Sequence, residues 1–311
     1  MVPNGMSMRS IFYTVALLSL VSFKAAAVPD PSYCINETFN KNQWKETIDA
    51  QFADVQTDKA ELVNRLYTCL ASPDPTIRDE IGYRGLSVLL RQATPSQPVL
   101  LALFERLSSD IAAHVNDPHG VFLPFAVLAY SEVIRTDRIS PVLTNAQRQQ
   151  AIDTISGYLE KQTDYRGFSD QIGWRHGLAH ASDVLLQLAL NPALTRSQII
   201  QAAHVVLQHI SPVGAPAFTD GEGYRLARAT AYLMLREEVQ SGDWKTMLHD
   251  YAQASPRYAD WASTYQTRQG LNYQHNKRSY YESLTSLTVF QNSPQLEPLA
   301  PEIAKLARSI R

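Results

Sequence analysis

The chain is poor in the features that advertise a known chemistry. It has only two cysteines, Cys34 and Cys69. Neither lies in a CxxC pair or beside a histidine, which excludes a thiolate metal knuckle and a dithiol redox motif. The residues before Cys34, Asp30-Pro31-Ser32-Tyr33, do not form a lipid-attachment box. No block of like charges long enough to act as an interaction tail is present. The formal net charge of −2 lacks the basic footprint of a nucleic-acid binder. No glutamate follows His176, so the HExxH mechanism of zinc proteases is absent. Convincing period-two alternation, the mark of a half-buried strand, is also missing.

What is present begins at the N-terminus. Arg9 supplies a positive charge, Ile11 to Phe23 is a short apolar run, and Ala25-Ala26-Ala27 offers small residues for cleavage after Ala27. This is the layout of a secretory signal peptide over residues 1–27. The run is shorter than the ~20 apolar residues of a comfortable span. Lys24, close to the cleavage point, keeps an uncleaved anchor as the alternative. Met1, Met6 or Met8 is the start. Cleavage removes Arg9 and Lys24 and no acid, taking the net charge from −2 to −4. No spanning apolar stretch then remains, so residues 28–311 are expected to form one domain in the periplasm or outside the cell. In such an oxidising compartment Cys34 and Cys69 are expected to bridge. Asn36-Glu37-Thr38 matches a glycosylation acceptor, on three residues only.

Apolar residues at three- and four-residue spacing fill 60–71, 85–93, 99–115, 125–135, 146–161, 178–190, 196–210, 226–240 and 279–290. Pro, Gly, Asp and Asn punctuate the gaps. Long helices with short breaks predict an all-α fold.

A hexapeptide recurs: Asp79-Glu80-Ile81-Gly82-Tyr83-Arg84, Asp170-Gln171-Ile172-Gly173-Trp174-Arg175 and Asp220-Gly221-Glu222-Gly223-Tyr224-Arg225. A degenerate copy near Gly120–Phe125 and a further helix from about Asn276 would give a period of about 45–50 residues, close to that of HEAT and armadillo units. The expectation is an α-α repeat superhelix of about five helix pairs. In each copy Asp would cap a helix, Gly would allow close helix approach, the aromatic would pack into the next unit, and Arg would pair with an Asp.

Where copies differ, chemistry is expected. His176, His180, Asp183 and Gln187 follow the second copy at spacings that share one helical face. Two imidazoles one turn apart, with a carboxylate beyond, can hold a divalent metal. The same trio can run acid–base chemistry. Hydrogen-bonded structural histidines are the competing reading. Glu222 replaces the isoleucine of the other copies and, with Asp220, suggests paired carboxylates in one groove. The alternative is an exposed first-turn Glu that complements the helix dipole. Asp164-Tyr165-Arg166-Gly167-Phe168 is either a groove-lining loop or a turn with an internal ion pair. The aromatic stretch 251–281 reads as terminal packing. The remaining histidines form no set.

Asp164-x-Arg166-Gly167-Phe168, Gly173-Trp174-x-His176-x-x-x-His180-x-x-Asp183-Val184-Leu185 and Asp220-Gly221-Glu222-x-x-Arg225-Leu226-Ala227 resemble the bacterial family called domain of unknown function 2785. Arg78-Asp79-Glu80-Ile81-Gly82-Tyr83 resembles its first block, so the likeness spans roughly residues 75–240. The resemblance implies an all-helical fold and no assigned activity. Arg175 departs from the family, where a small residue is usual. An arginine there would repel a metal or a protonated imidazole if it pointed inward.

Two functions compete on these residues. One is an envelope binding or scaffold protein whose groove, lined by Asp170, Trp174, Arg175, Asp220 and Arg225 with the histidine stripe, holds a protein, peptide or glycan. The other is an envelope hydrolase using His176, His180, Asp183 and Glu222, with or without a divalent metal. No nucleic-acid partner is expected.

Overall fold

Helix starts in this chain are written in short polar motifs. Asn40, Thr144 and Thr195 each accept from the first-turn backbone while a glutamine three residues on reaches back, forming capping boxes. These open α1 (Lys41–Asp49), α6 (Asn145–Glu160) and α8 (Arg196–Gln208). In the computed structural model, residues 27–310 are described apart from 38, 54, 116, 256, 291 and 292. The expected signal peptide therefore lies outside the described residues, but for Ala27.

The other helices are α2 (Lys59–Cys69), α3 (Arg84–Gln92), α4 (Gln97–Ala113), α5 (Phe122–Ile139), α7 (Gly177–Ala189), α9 (Glu222–Met234), α10 (Ser241–Ala252), α11 (Arg268–Phe290) and α12 (Ala300–Ser309). Among the described residues none is long and apolar enough to cross a membrane. Among the described residues the fold is all-α but for one small hairpin. In it β1 (Phe168–Ser169) pairs antiparallel with β2 (Gly173–Trp174), two residues a side and too short for sequence alternation to register.

Two series of contacts order the helices. In one, α3, α5, α7, α9 and α11 each pack on the next; in the other, α4, α6, α8, α10 and α12 do so. The first series is the interior one around its middle. Helix α7 buries eleven of its thirteen residues, which leaves it almost no solvent face. At the far end of α5, Asp137 is fully buried and satisfied by Arg148 Nε at 2.7 Å, the Leu143 N–H at 2.7 Å and Asn191 Nδ2 at 2.7 Å. That network ties α5, α6 and the end of α7. The Cys34–Cys69 disulfide is formed and fixes the segment before α1 to the last residue of α2.

The hexapeptide is not a uniform helix opener. Asp79–Tyr83 belongs to a π-helical segment, Thr76–Tyr83, that runs straight into α3. Asp170–Trp174 forms the hairpin turn and β2, and Asp220-Gly221 is a turn before α9. None of the three aspartates caps a helix by a side-chain bond; the residues before α7 and α9 are in the left-handed region instead. Asp117, ahead of the degenerate copy, does take that part for α5: it accepts from the Gly120 N–H and from the first two N–H groups of the helix, Phe122 and Leu123. The glycines also serve different ends. Gly82 and Gly223 lie where a Cβ would meet Cys69 at 2.9 Å and Ser279 at 2.6 Å, the close approach expected, whereas Gly173 supplies a φ of +75° for the hairpin. The helix expected from Asn276 starts eight residues earlier, at Arg268.

Candidate functional site

The N-terminal ends of the interior helices converge on one cleft of about 470 Å³. The π-helical segment gives Asp79 and Tyr83, α5 gives Phe125 and Leu128, and β2 gives Trp174. His176, His180 and Asp183 come from the start of α7, and Asp220 and Arg225 from around the start of α9. All three hexapeptides thus contribute, through different residues and in different conformations. Helix N-termini carry partial positive charge, which eases the gathering of carboxylates here.

His176 is the centre of the arrangement. It precedes α7 with φ +57°, a left-handed conformation unusual for a side-chain-bearing residue. The hairpin holds it there: the His176 N–H donates to the Arg166 carbonyl and the Arg175 N–H to the Gly167 carbonyl. The imidazole is buried, stacked on the Trp174 indole at 4.9 Å and 23°, with the His180 ring edge-on at 5.9 Å. Its Nε2 is buried without a well-formed hydrogen bond; the facing acceptor is Glu222 Oε1 at 3.4 Å. A left-handed His176 also breaks the expected four-residue stripe, because it stands before the helix rather than on its face. Gln187, the last member, accepts from Arg138 Nε instead.

Glu222 is 4% exposed, so it is neither a solvated first-turn acid nor part of the cleft wall. It stands behind His176, and its Oε2 accepts from the Asp220 N–H at 2.9 Å. Burial raises its pKa, but His176 and backbone N–H groups outweigh that and hold the carboxyl below its ordinary range. Asp220 itself lines the cleft and accepts from the Phe168 N–H at 3.2 Å. Gly167 makes that contact possible, since a Cβ there would overlap the Asp220 carboxylate.

His180 Nδ1 faces the Pro124 carbonyl at 3.0 Å. A carbonyl only accepts, so Nδ1 carries the hydrogen and Nε2 is left as a bare acceptor. Burial, then the neighbouring His176, pushes the His180 pKa down to about 3. Asp183 is bound by the Arg225 guanidinium through both carboxylate oxygens. Burial raises its pKa while Arg225 pulls it back.

These partners correct the metal assignment. His176, His180 and Asp183 all line the cleft, but His176 Nε2 faces Glu222, His180 keeps only Nε2 free, and both oxygens of Asp183 are held by Arg225. Among the described residues no group of three His, Cys, Asp or Glu side chains can hold a metal ion. Of the five expected groove residues, Trp174, Asp220 and Arg225 line the cleft and Asp170 and Arg175 do not. Asp170 is exposed on the hairpin turn. Arg175 turns away from His176 and donates to the His119 carbonyl at 3.0 Å and to Ser169 Oγ. Asp164 pairs with Arg166 Nε at 2.7 Å, as the turn reading has it. The aromatics Trp174 and Tyr224 are exposed rather than packed into a neighbour, while Arg84 and Arg225 do pair with Asp49 and Asp183.

Asp79, Tyr83, Phe125 and Leu128 are cleft residues that the sequence reading passed over. The first two lie in the first hexapeptide, so the repeat itself was their signal. Behind them Arg78 is fully buried. It pairs with Asp79 at 2.7 Å, donates to the Ile172 carbonyl at 2.9 Å and lies over the Phe125 ring at 4.6 Å. One guanidinium thereby locks the π-helical segment, the hairpin and α5 together.

Residues 107–285 match the family described as Protein of unknown function (DUF2785). The chain belongs to that family. The match takes in the hairpin, α7 and α9, and leaves Asp79 and Tyr83 outside it. Searches of the curated proteins and of the solved structures returned no match.

Proposed function

We propose that this protein is an exported, α-α superhelical binding protein of the cell envelope, which holds a polar ligand in the cleft between Tyr83, Trp174, His180 and Arg225. The observation that carries the reading is the Trp174 indole. It is 39% exposed at the cleft while its other face is supported by a buried imidazole. Phe168, 54% exposed, lies against it, so the cleft carries an exposed aromatic pair rather than a lone surface ring, and Trp is a residue on which binding energy concentrates. Polar groups stand around it in fixed orientations, as a binding site requires. The signal-like N-terminus, the disulfide and the lack of a membrane-spanning helix among the described residues support export.

Native mass spectrometry of the protein isolated from its own envelope tests this directly. The wild-type chain should carry a bound species that Trp174→Ala and Asp220→Asn lose while their melting curves stay in place. Equal retention by both variants sinks the reading.

A second reading rests on one contact. His176 and Glu222 form a buried imidazole–carboxylate pair beside an open cleft, the grouping that serves proton transfer to and from a substrate. It is a metal-free hydrolase reading. Glu222→Gln should then abolish turnover of the bound species without displacing it; turnover that survives the change excludes it.

A further inference from the structure

We infer that the ligand of this cleft is a saccharide, with the face of an uncharged sugar ring laid on Trp174 and its hydroxyls bonded by Asp220, Arg225 and His180. This rests on the reading of the cleft as a binding site and names the ligand class. A pyranose ring has one distinctive demand: a flat apolar C–H face and, at its edge, hydroxyls that each donate and accept. The cleft matches both halves. The indole and the Phe168 ring meet at 5.2 Å and 66°, and both stay partly exposed, at 39% and 54%, an aromatic ledge of two tilted rings outside the core. Beside the ledge the polar groups are of opposite hydrogen-bonding type. Asp220 and the bare His180 Nε2 only accept, whereas Arg225 only donates. Vicinal hydroxyls take such mixed pairs. His176 lines the same wall, but its Nε2 faces Glu222 behind it, so its part is to support the indole.

Charge and backbone argue against the alternatives. The cleft carboxylates Asp79 and Asp183 are each paired with an arginine, Arg78 and Arg225. Only Asp220 is left, beside a helix N-terminus, so no strong field of either sign selects an ion. A peptide bound as an added strand would call for backbone donors and acceptors in register at a sheet edge. The lining here offers side chains, and the adjoining hairpin is two residues a side.

The test uses the full mature chain and the methyl glycosides of glucose, galactose, mannose and N-acetylglucosamine at high millimolar concentration. Glucuronate and trialanine serve as charged and peptide comparisons. The readout is the nitrogen–hydrogen spectrum, following the Trp174 indole and the amides of residues 220–225. At least one neutral glycoside should shift both sets together. Asp220→Asn should weaken that binding by about tenfold, the loss of a hydrogen bond to a charged group, and Trp174→Ala should remove the shifts at 220–225. If trialanine moves these signals and no glycoside does, the saccharide inference fails and the binding cleft stands. Stronger shifts from glucuronate than from its neutral counterpart overturn the uncharged-ring assignment. Silence from every probe, with a bound species still lost in Trp174→Ala, also overturns it.

Discussion

Burial keeps the His180 imidazole neutral, and its pKa of about 3 is well below the 6.5 expected of an unfolded chain. The consequence for stability follows from proton counting. Between those two values the unfolded chain binds a proton that the folded chain refuses. Stability therefore falls as pH drops below about 6.5, and the loss is complete near 3. At one pKa unit per ~1.4 kcal/mol, the full effect is on the order of 5 kcal/mol. His180→Gln has no such proton to bind. Urea unfolding of both chains at about pH 7 and about pH 4 should show the wild type losing more stability than the variant. Equal losses would mean that His180 is protonated in the folded state. Other groups, including Glu222 and Asp137, whose carboxyls are held low, also cost stability in acid. The difference between the two chains cancels them.

Most helices were legible because an apolar stripe needs a core whatever surrounds it. Helices α4 to α8 start and stop within four residues of their apolar runs, Pro and Gly marking the gaps, whereas α9 starts four residues before its run and ends six before its close. The start of α11 was not legible, because its first turns bury polar residues. Asn276 is fully buried, accepting from the Phe218 N–H at 2.7 Å and donating to the Pro216 carbonyl at 2.8 Å. A search for apolar spacing cannot register side chains whose partners are distant backbone groups. Within the site, the His176–Glu222 pairing lay beyond the sequence for a related reason. It depends on a left-handed His176, which no helical wheel contains. Lys277, the residue after Asn276 in the same hidden stretch of α11, carries a consequence of its own. It is 5% exposed, donates to the Gln253 carbonyl at 2.7 Å and Tyr273 Oη at 2.8 Å, and lies over the Tyr273 and Trp261 rings. Burial pushes its pKa down to about 7, against 10.5 for an exposed lysine. The unfolded chain holds the extra proton between these values, so wild-type stability rises across that window as pH climbs. Lys277→Met removes the titration. Its stability relative to wild type should be highest below about pH 7 and should decline towards pH 10. Parallel stability curves for the two proteins would show that the amine keeps its charge when folded.

At the scale of the whole molecule, the two series of helices begin at an end that the family match does not include. Residues 27–106 carry α1 to α3, the π-helical segment and the disulfide, yet they supply Asp79 and Tyr83 to the cleft and Arg78 behind it. The cleft is therefore completed by a part of the chain that packs onto the family region mainly through α3 and the π-helical segment against α5, and through α4. Cys34–Cys69 closes a loop across this end with a sequence separation of 35 residues. In the chain-entropy account such a loop contributes ~4 kcal/mol. Its removal should act locally, because the helices from α5 to α11 bury their own interior without it. The paired change Cys34→Ala and Cys69→Ala should lower hydrogen-exchange protection and raise protease cleavage over residues 28–92, while protection of α7 and α9 is retained. Ligand detected on the wild-type protein should be weakened in the same variant, because Asp79 and Tyr83 lose their fixed position. Uniform loss of protection across all helices would show a single cooperative unit in which the first three helices have no independent opening. Unchanged ligand retention would place the binding determinants wholly on the hairpin, α7 and α9.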